Sequence, residues 1–162
     1  EVTFRRTVIP VQELLDAAGK YFKKLMKNRP ERIELEIEPM EAKVIGDVNQ
    51  LRFLLENLID EALTVREDGV IRLQARKDNE YIRFLFTDTR REKSVEELNQ
   101  LFYPNLARMT SGEKGELRGT EYLICKQIIR DHDEFAGRRG CRINAQPAAE
   151  GGFTVWFTLP AR

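Results

Sequence analysis

Apolar residues recur at three- and four-residue spacing through Val11, Leu14, Leu15, Ala18, Phe22, Leu25 and Met26, which predicts a helix with one buried stripe. Asn28-Arg29-Pro30 ends the pattern, since proline cannot continue a helix. Ahead of it, residues 2–9 alternate as a strand, and Pro10 suits the first helical turn, where its missing N–H would be unpaired anyway. Ile33, Leu35 and Ile37 alternate with Glu34, Glu36 and Glu38, a strand with one wet face, and Lys43-Val44-Ile45 adds a short strand. A second helical stripe, Leu51, Leu54, Leu55, Leu58, Ile59 and Ala62, starts at Val48 and closes near Glu67-Asp68-Gly69.

Asp68-Gly69 reads as a hairpin turn, and residues 70–75 and 81–86 read as antiparallel strands joined through Lys77-Asp78-Asn79-Glu80. Residues 88–118 are polar and irregular apart from a short helical pattern from Val95 to Leu101; a connection of that length is usually functional or mobile. Glu121 to Arg130 is helical with Ile124, Ile128 and Ile129 inward, and residues 141–145 and 153–159 form a closing hairpin. The elements predict an α+β fold, a two-layer sandwich with helices on one face of a mixed sheet.

Twenty-seven basic and 27 acidic residues in a chain of 162 give a formal net charge of zero, which argues against a dedicated nucleic-acid or anionic-membrane binder. No window approaches the ~20 apolar residues of a membrane span. Cys125 and Cys141 lie in unlike surroundings and make no disulfide framework, so reduced thiols and a cytosolic setting are expected. His132 is the only histidine, which removes His-based triads and multi-histidine metal sites. The opening Glu1-Val2-Thr3-Phe4, without Met, reads as the start of a fragment, with residues 1–162 a single domain of a longer protein.

Four stretches stand out in order along the chain: Gly46-Asp47-Val48-Asn49-Gln50-Leu51-Arg52 running into Asn57-Leu58-Ile59-Asp60-Glu61-Ala62, then Leu101-Phe102-Tyr103-Pro104, then Ile124-Cys125-Lys126-Gln127-Ile128-Ile129 followed by His132, and residues 151–160. With them, nearly the whole chain resembles the ATP-binding catalytic domain of sensor histidine kinases, of the GHKL ATPase superfamily and Bergerat fold. The first stretch is similar to that family's asparagine box and its lead-in, and the second resembles the phenylalanine box. The third resembles the helix after the second glycine box, and the last the final strand.

The resemblance implies a nucleotide site at Asn57, Glu61, Asp88 and Gly119, with Mg²⁺ on Asn57 and Glu61 and Mg-ATP as the cofactor of an active form. Glu61 stands where the family has the asparagine that holds the ion; a carboxylate is a reasonable Mg²⁺ ligand but repels phosphate when no metal intervenes. Asp88 matches the aspartate that accepts from the adenine amino group, yet Arg90 and Glu92 stand where glycines follow it. Two long side chains there either fill the adenine pocket or force the loop onto another path. Of the second glycine box only Gly119 is in register, and Glu121 brings negative charge to the helix start that would face phosphate. The alternative for each residue is structural: a buried polar Asn57, a solvated Glu61, a turn at Asp88.

These features predict a histidine-kinase-like ATP-binding catalytic domain of a two-component protein, with impaired or lost nucleotide binding. The alternative is a fully degenerate pseudokinase domain acting as a protein–protein interaction module. The implied partners are the dimerisation and phosphoacceptor helices upstream in the parent and a response regulator or kinase partner. No nucleic acid and no direct membrane insertion are implied, and the implied location is cytoplasmic, including within a membrane-bound sensor. His132 matches a turn position and reads as a capping or turn residue. Arg138, Arg139 and Arg142, with Arg130 close by, either grip an anionic group or are solvated, and Asp131–Gly140 reads as a long contact loop. Gly112-Glu113-Lys114-Gly115 lacks the spacing of a phosphate-binding loop.

Overall fold

Both long apolar stripes need a surface to bury against, and the sheet supplies it. The computed structural model describes residues 3–104, 110–111 and 117–162; Gly112–Gly115 lies outside the described residues. Strand β1 (Thr7–Pro10) leads into helix α1 (Val11–Met26), followed by β2 (Ile33–Ile37), β3 (Lys43–Gly46) and helix α2 (Val48–Ala62). Then come β4 (Gly69–Asp78), β5 (Tyr81–Asp88), α3 (Val95–Gln100), β6 (Thr110–Ser111), β7 (Leu117–Arg118), α4 (Glu121–Phe135), β8 (Ile143–Pro147) and β9 (Phe153–Pro160).

Five strands form one mixed sheet in the order β2-β4-β5-β9-β8, with only β2 and β4 parallel. Its inner face carries Leu73, Phe84 and Phe157, all at most 1% exposed, with the two phenylalanine rings stacked 4.8 Å apart. The helices bring Leu14, Leu15, Leu54, Leu55, Leu58 and Ile129 against it. The outer face is polar: Arg72 bridges Glu36 and Glu150, and Arg83 lies 4.0 Å over the Trp156 ring. β1 and β3 pair separately, and Val44 bridges to Ala161 beside the end of β9.

Several boundaries differ from the sequence reading. Pro10 ends β1 and sits one residue before the first helical turn, because the next N–H, that of Val11, donates to the Ala42 carbonyl. Gly69 opens β4 and pairs with Ile33 in the parallel ladder, so Asp68-Gly69 is a helix-to-strand connection and not a hairpin turn. The hairpin turns at Asn79-Glu80, with Asn79 in the left-handed conformation (φ 56°) that such two-residue loops require. Helix α4 runs on to Phe135, so Asp131–Phe135 belongs to the helix and not to a loop.

The extension of α4 has its cause in His132, which is fully buried in the last turns of the helix. Its Nε2 accepts from the Asp47 N–H at 3.0 Å, so Nδ1 carries the proton and donates to the Ile128 carbonyl at 2.8 Å. The ring therefore joins the end of α4 to the start of α2, where the Asp47 carboxylate caps the helix by accepting from the Asn49 and Gln50 N–H groups. Gly46 is required beside it, since a Cβ there would lie 2.8 Å from His132 Nε2 and 2.9 Å from Leu51 Cδ1.

Gly46→Ala is expected to destabilise the domain by about 1–3 kcal/mol, read as a lower urea midpoint at unchanged slope. Burial holds the His132 imidazole below its ordinary value of 6.5, despite the opposing pull of the Ile128 carbonyl and the Asp47 charge. The unfolded chain takes up this proton first, so the contribution of His132 is complete above the unfolded value and is lost as pH falls below it. Stability measured from about pH 7 to pH 5 should fall more steeply in the wild type than in His132→Gln.

Candidate functional site

Strand β5 ends at Asp88, which pairs with Ile71 on one side and Phe153 on the other. Thr89 then turns the chain back onto the sheet, its N–H and Oγ1 both donating to the Val70 carbonyl. This turn points Arg90 inward, with its side chain 1% exposed and the Asp88 side chain 5% exposed.

Every donor of the guanidinium is used. Nε donates to Asp88 Oδ1 at 2.9 Å and Nη2 to Asp88 Oδ2 at 2.9 Å, a two-point fork. The remaining N–H groups reach the chain leaving α2: Nη2 donates to the Ala62 carbonyl at 2.6 Å, and Nη1 to those of Val65 and Glu67 at 2.9 Å each. Five N–H donors and five bonds leave no capacity for anything else. A cation at this position also opposes the negative end of the helix dipole.

The same contacts explain why α2 stops at Ala62 rather than near Glu67. The carbonyls beyond it are turned toward Arg90, and Thr64 Oγ1 donates to the Glu61 carbonyl at 2.6 Å. Gly69 makes the room: its φ is 143°, and a Cβ would fall 2.6 Å from Arg90 Cγ. Of the two long side chains expected to close this space, only Arg90 enters it; Glu92 is exposed.

Asn57 and Glu61 lie on successive turns of α2, on the side that meets α4. Asn57 is 4% exposed, and its Nδ2 donates to the Phe53 carbonyl one turn back. Glu61 is half-buried and is not simply a solvated helix charge. Burial, and then the charges of Glu121 and Glu61, push the Cys125 thiol up. Asp60, on the side of α2 facing α1, accepts from Tyr21 Oη at 2.6 Å. Its carboxyl is raised by burial, the Tyr21 bond works in the other direction, and the Glu121 charge raises it again. Glu121 Oε1 is buried and has no hydrogen-bond partner among the described residues. The start of α4 and the second half of α2 thus share an acidic zone. Among the described residues, no group of three or more His, Cys, Asp or Glu is arranged to hold a metal ion.

Gly119 precedes α4 with φ 82°, and the Thr120 side chain provides no cap. Phe102 anchors the segment after α3, packed edge-on to Tyr122 at 5.7 Å, while its carbonyl accepts from Lys126 Nζ.

A model of the family of histidine kinase-, DNA gyrase B- and HSP90-like ATPases matches residues 46–162. The chain belongs to this family. Among solved structures, a mycobacterial sensor histidine kinase, MprB, is similar at 20% identity, covering 98% of this chain and 99% of that one with a TM-score of 0.73. Full-length ShkA in complex with AMPPNP is similar at 16% identity, over 99% of this chain and 32% of that one, TM-score 0.75. Histidine kinase ThkA in complex with the response regulator TrrA gives 18% identity, 98% and 42% coverage, and a TM-score of 0.73. At these identities the likeness establishes the fold, that of histidine kinase catalytic domains. A search of curated proteins finds no match.

Within the GHKL ATPase fold, the buried Arg90–Asp88 pair makes a sharp stability prediction. Arg90→Ala strands a buried carboxylate and three carbonyls, and should lower the unfolding free energy by about 3–5 kcal/mol. Adding Asp88→Asn to Arg90→Ala should recover part of that loss, so a double-mutant cycle in urea should be strongly non-additive.

Proposed function

We propose that this is a histidine-kinase-type domain of a two-component signalling protein in which Arg90 occupies the base site, so that Mg-ATP binds weakly or not at all. The observation that carries this reading is the saturation of the Arg90 guanidinium by Asp88 and the carbonyls after α2. By the family resemblance, Asp88 is the group an adenine amino hydrogen would seek. A base that takes Asp88 must first expel a side chain that holds it twice, and it returns one hydrogen bond. Breaking a buried pair of this kind costs about 3–5 kcal/mol, or two to four decades of affinity.

The phosphate end adds to the penalty. Glu61 stands where the family places its metal-holding asparagine, and Asp60 and Glu121 add charge to the same zone. A Mg²⁺ brought in with nucleotide would find Glu61 and Asn57 as its oxygen donors there, and Gly119 is the glycine left for the phosphates. In this reading the domain acts chiefly by docking, on the upstream dimerisation and phosphoacceptor helices of its parent or on a kinase or response-regulator partner. ThkA, solved with a response regulator, is a neighbour of the same fold that engages such a partner. The working location is the cytoplasm, with residues 1–162 one domain of a longer protein.

Calorimetry with Mg-ATP tests the reading. The wild type should bind no tighter than about the millimolar range, and submillimolar affinity would contradict the proposal. Arg90→Gly, although less stable, should gain binding of adenosine and ADP and be raised in melting temperature by them. An Arg90→Gly protein indifferent to adenosine would show that steric and ionic closure of the base site is not what limits affinity.

A further inference from the structure

Nine of the described arginines sit in ion pairs with Asp or Glu. Arg6, Arg138 and Arg162 have no carboxylate partner among the described residues, and all three line one cavity of about 340 Å³ between β1, β3 and the turn after α4. The contrast with their neighbours is sharp: Asp133 alone takes up Arg139 and Arg142, and accepts from the Gly140 and Cys141 N–H groups as well. Of the basic cluster legible in the sequence, Arg139 and Arg142 are therefore internal ties, while Arg138 joins two cations from the far ends of the chain.

These cations are held in place. Arg6 lies across Gly137, where a Cβ would fall 2.6 Å from its Nη1. Arg138 donates from Nη1 to the Glu80 carbonyl at 2.7 Å, with its guanidinium 5.8 Å from the centre of the Tyr81 ring. Arg162 is placed by its backbone, whose N–H donates to the Lys43 carbonyl. Two of the large apolar side chains that the domain exposes belong to the same segments: Val8, 41% exposed, lines the cavity, and Phe135, 50% exposed, directly precedes the cavity residue Ala136 and packs 5.7 Å from Phe4.

We propose that this surface docks an acidic protein segment that carries an apolar side chain beside its carboxylates. Arginines gathered at one cavity without a carboxylate partner repel one another, and guanidinium groups match carboxylates in two-point geometry. The apolar rim decides between occupants: a small free anion would satisfy the arginines and leave Val8 and Phe135 in water. The site lies at the Asp47 end of α2 and the base site at its Ala62 end, roughly 20 Å apart for a helix of this length. It therefore stands whether or not the base site takes nucleotide.

The test is fluorescence anisotropy at low salt with a labelled peptide of repeated Glu-Glu-Leu units. Wild type should bind it, and Arg6→Gln with Arg138→Gln should weaken binding by about tenfold or more. Phe135→Ser should weaken it several-fold, and Arg130→Gln, an exposed arginine outside the cavity, should leave it unchanged. The same peptide with Gln for Glu should not bind, and hexaglutamate should bind more weakly. Amide shifts in NMR should centre on Val8, Phe135 and Gly137. No binding by wild type, equal binding by the double Gln variant, amide shifts centred elsewhere, or inorganic phosphate binding as tightly as the peptide would each overturn the proposal.

Discussion

A buried guanidinium must find a partner for every N–H it carries, and at Arg90 this requirement organises one end of the domain. Its five bonds fasten the end of β5 to the chain leaving α2, so the strand that carries Asp88 and the helix that carries Asn57 and Glu61 are joined without any ligand. Neither partner tolerates loss of the other, because a charge left alone in that space has no water to turn to. Gly69 belongs to the same unit, since any side chain there would displace the Arg90 stem.

The opposite end of α2 is fixed by a second buried polar group of a different kind. His132 is neutral and uses both ring nitrogens, one toward Asp47 and one toward Ile128. Between the two ends the helix is held by its apolar stripe against α4 and the sheet. Polar ties at the ends and hydrocarbon in the middle give α2 one axial position.

Much of this frame was legible in the sequence, for physical reasons. The spacing of leucines marks α1 and α2 because burial on one side of a helix demands it, and the alternation from Ile33 to Ile37 marks β2 equally well. Asp88 was identifiable as a candidate base-site residue, and Arg90 and Glu92 as the long side chains that follow it where the family has glycines. The partners of Arg90 were not, because three of them are backbone carbonyls, at Ala62, Val65 and Glu67, and a carbonyl has no letter of its own. Gly69 was misread for a related reason: a glycine after an aspartate signals a turn, while its actual role is to leave space for a side chain 21 positions later. His132 was hidden by its charged neighbours Asp131, Asp133 and Glu134, although its spacing from Cys125, Ile128 and Ile129 continues the buried face of α4. With charged residues on both sides of it, that spacing was the one clue.

The central claim is that Arg90 remains in its site when nucleotide is offered, and the Nε–H of Arg90 reports on this directly. Its resonance in a nitrogen-15 NMR spectrum, assigned by its loss in Arg90→Ala, should exchange slowly with water and keep its shift as Mg-ATP is raised to millimolar concentration. Accelerated exchange or a displaced resonance on adding Mg-ATP, with the fold otherwise intact, would mean that nucleotide evicts the side chain and would contradict the account.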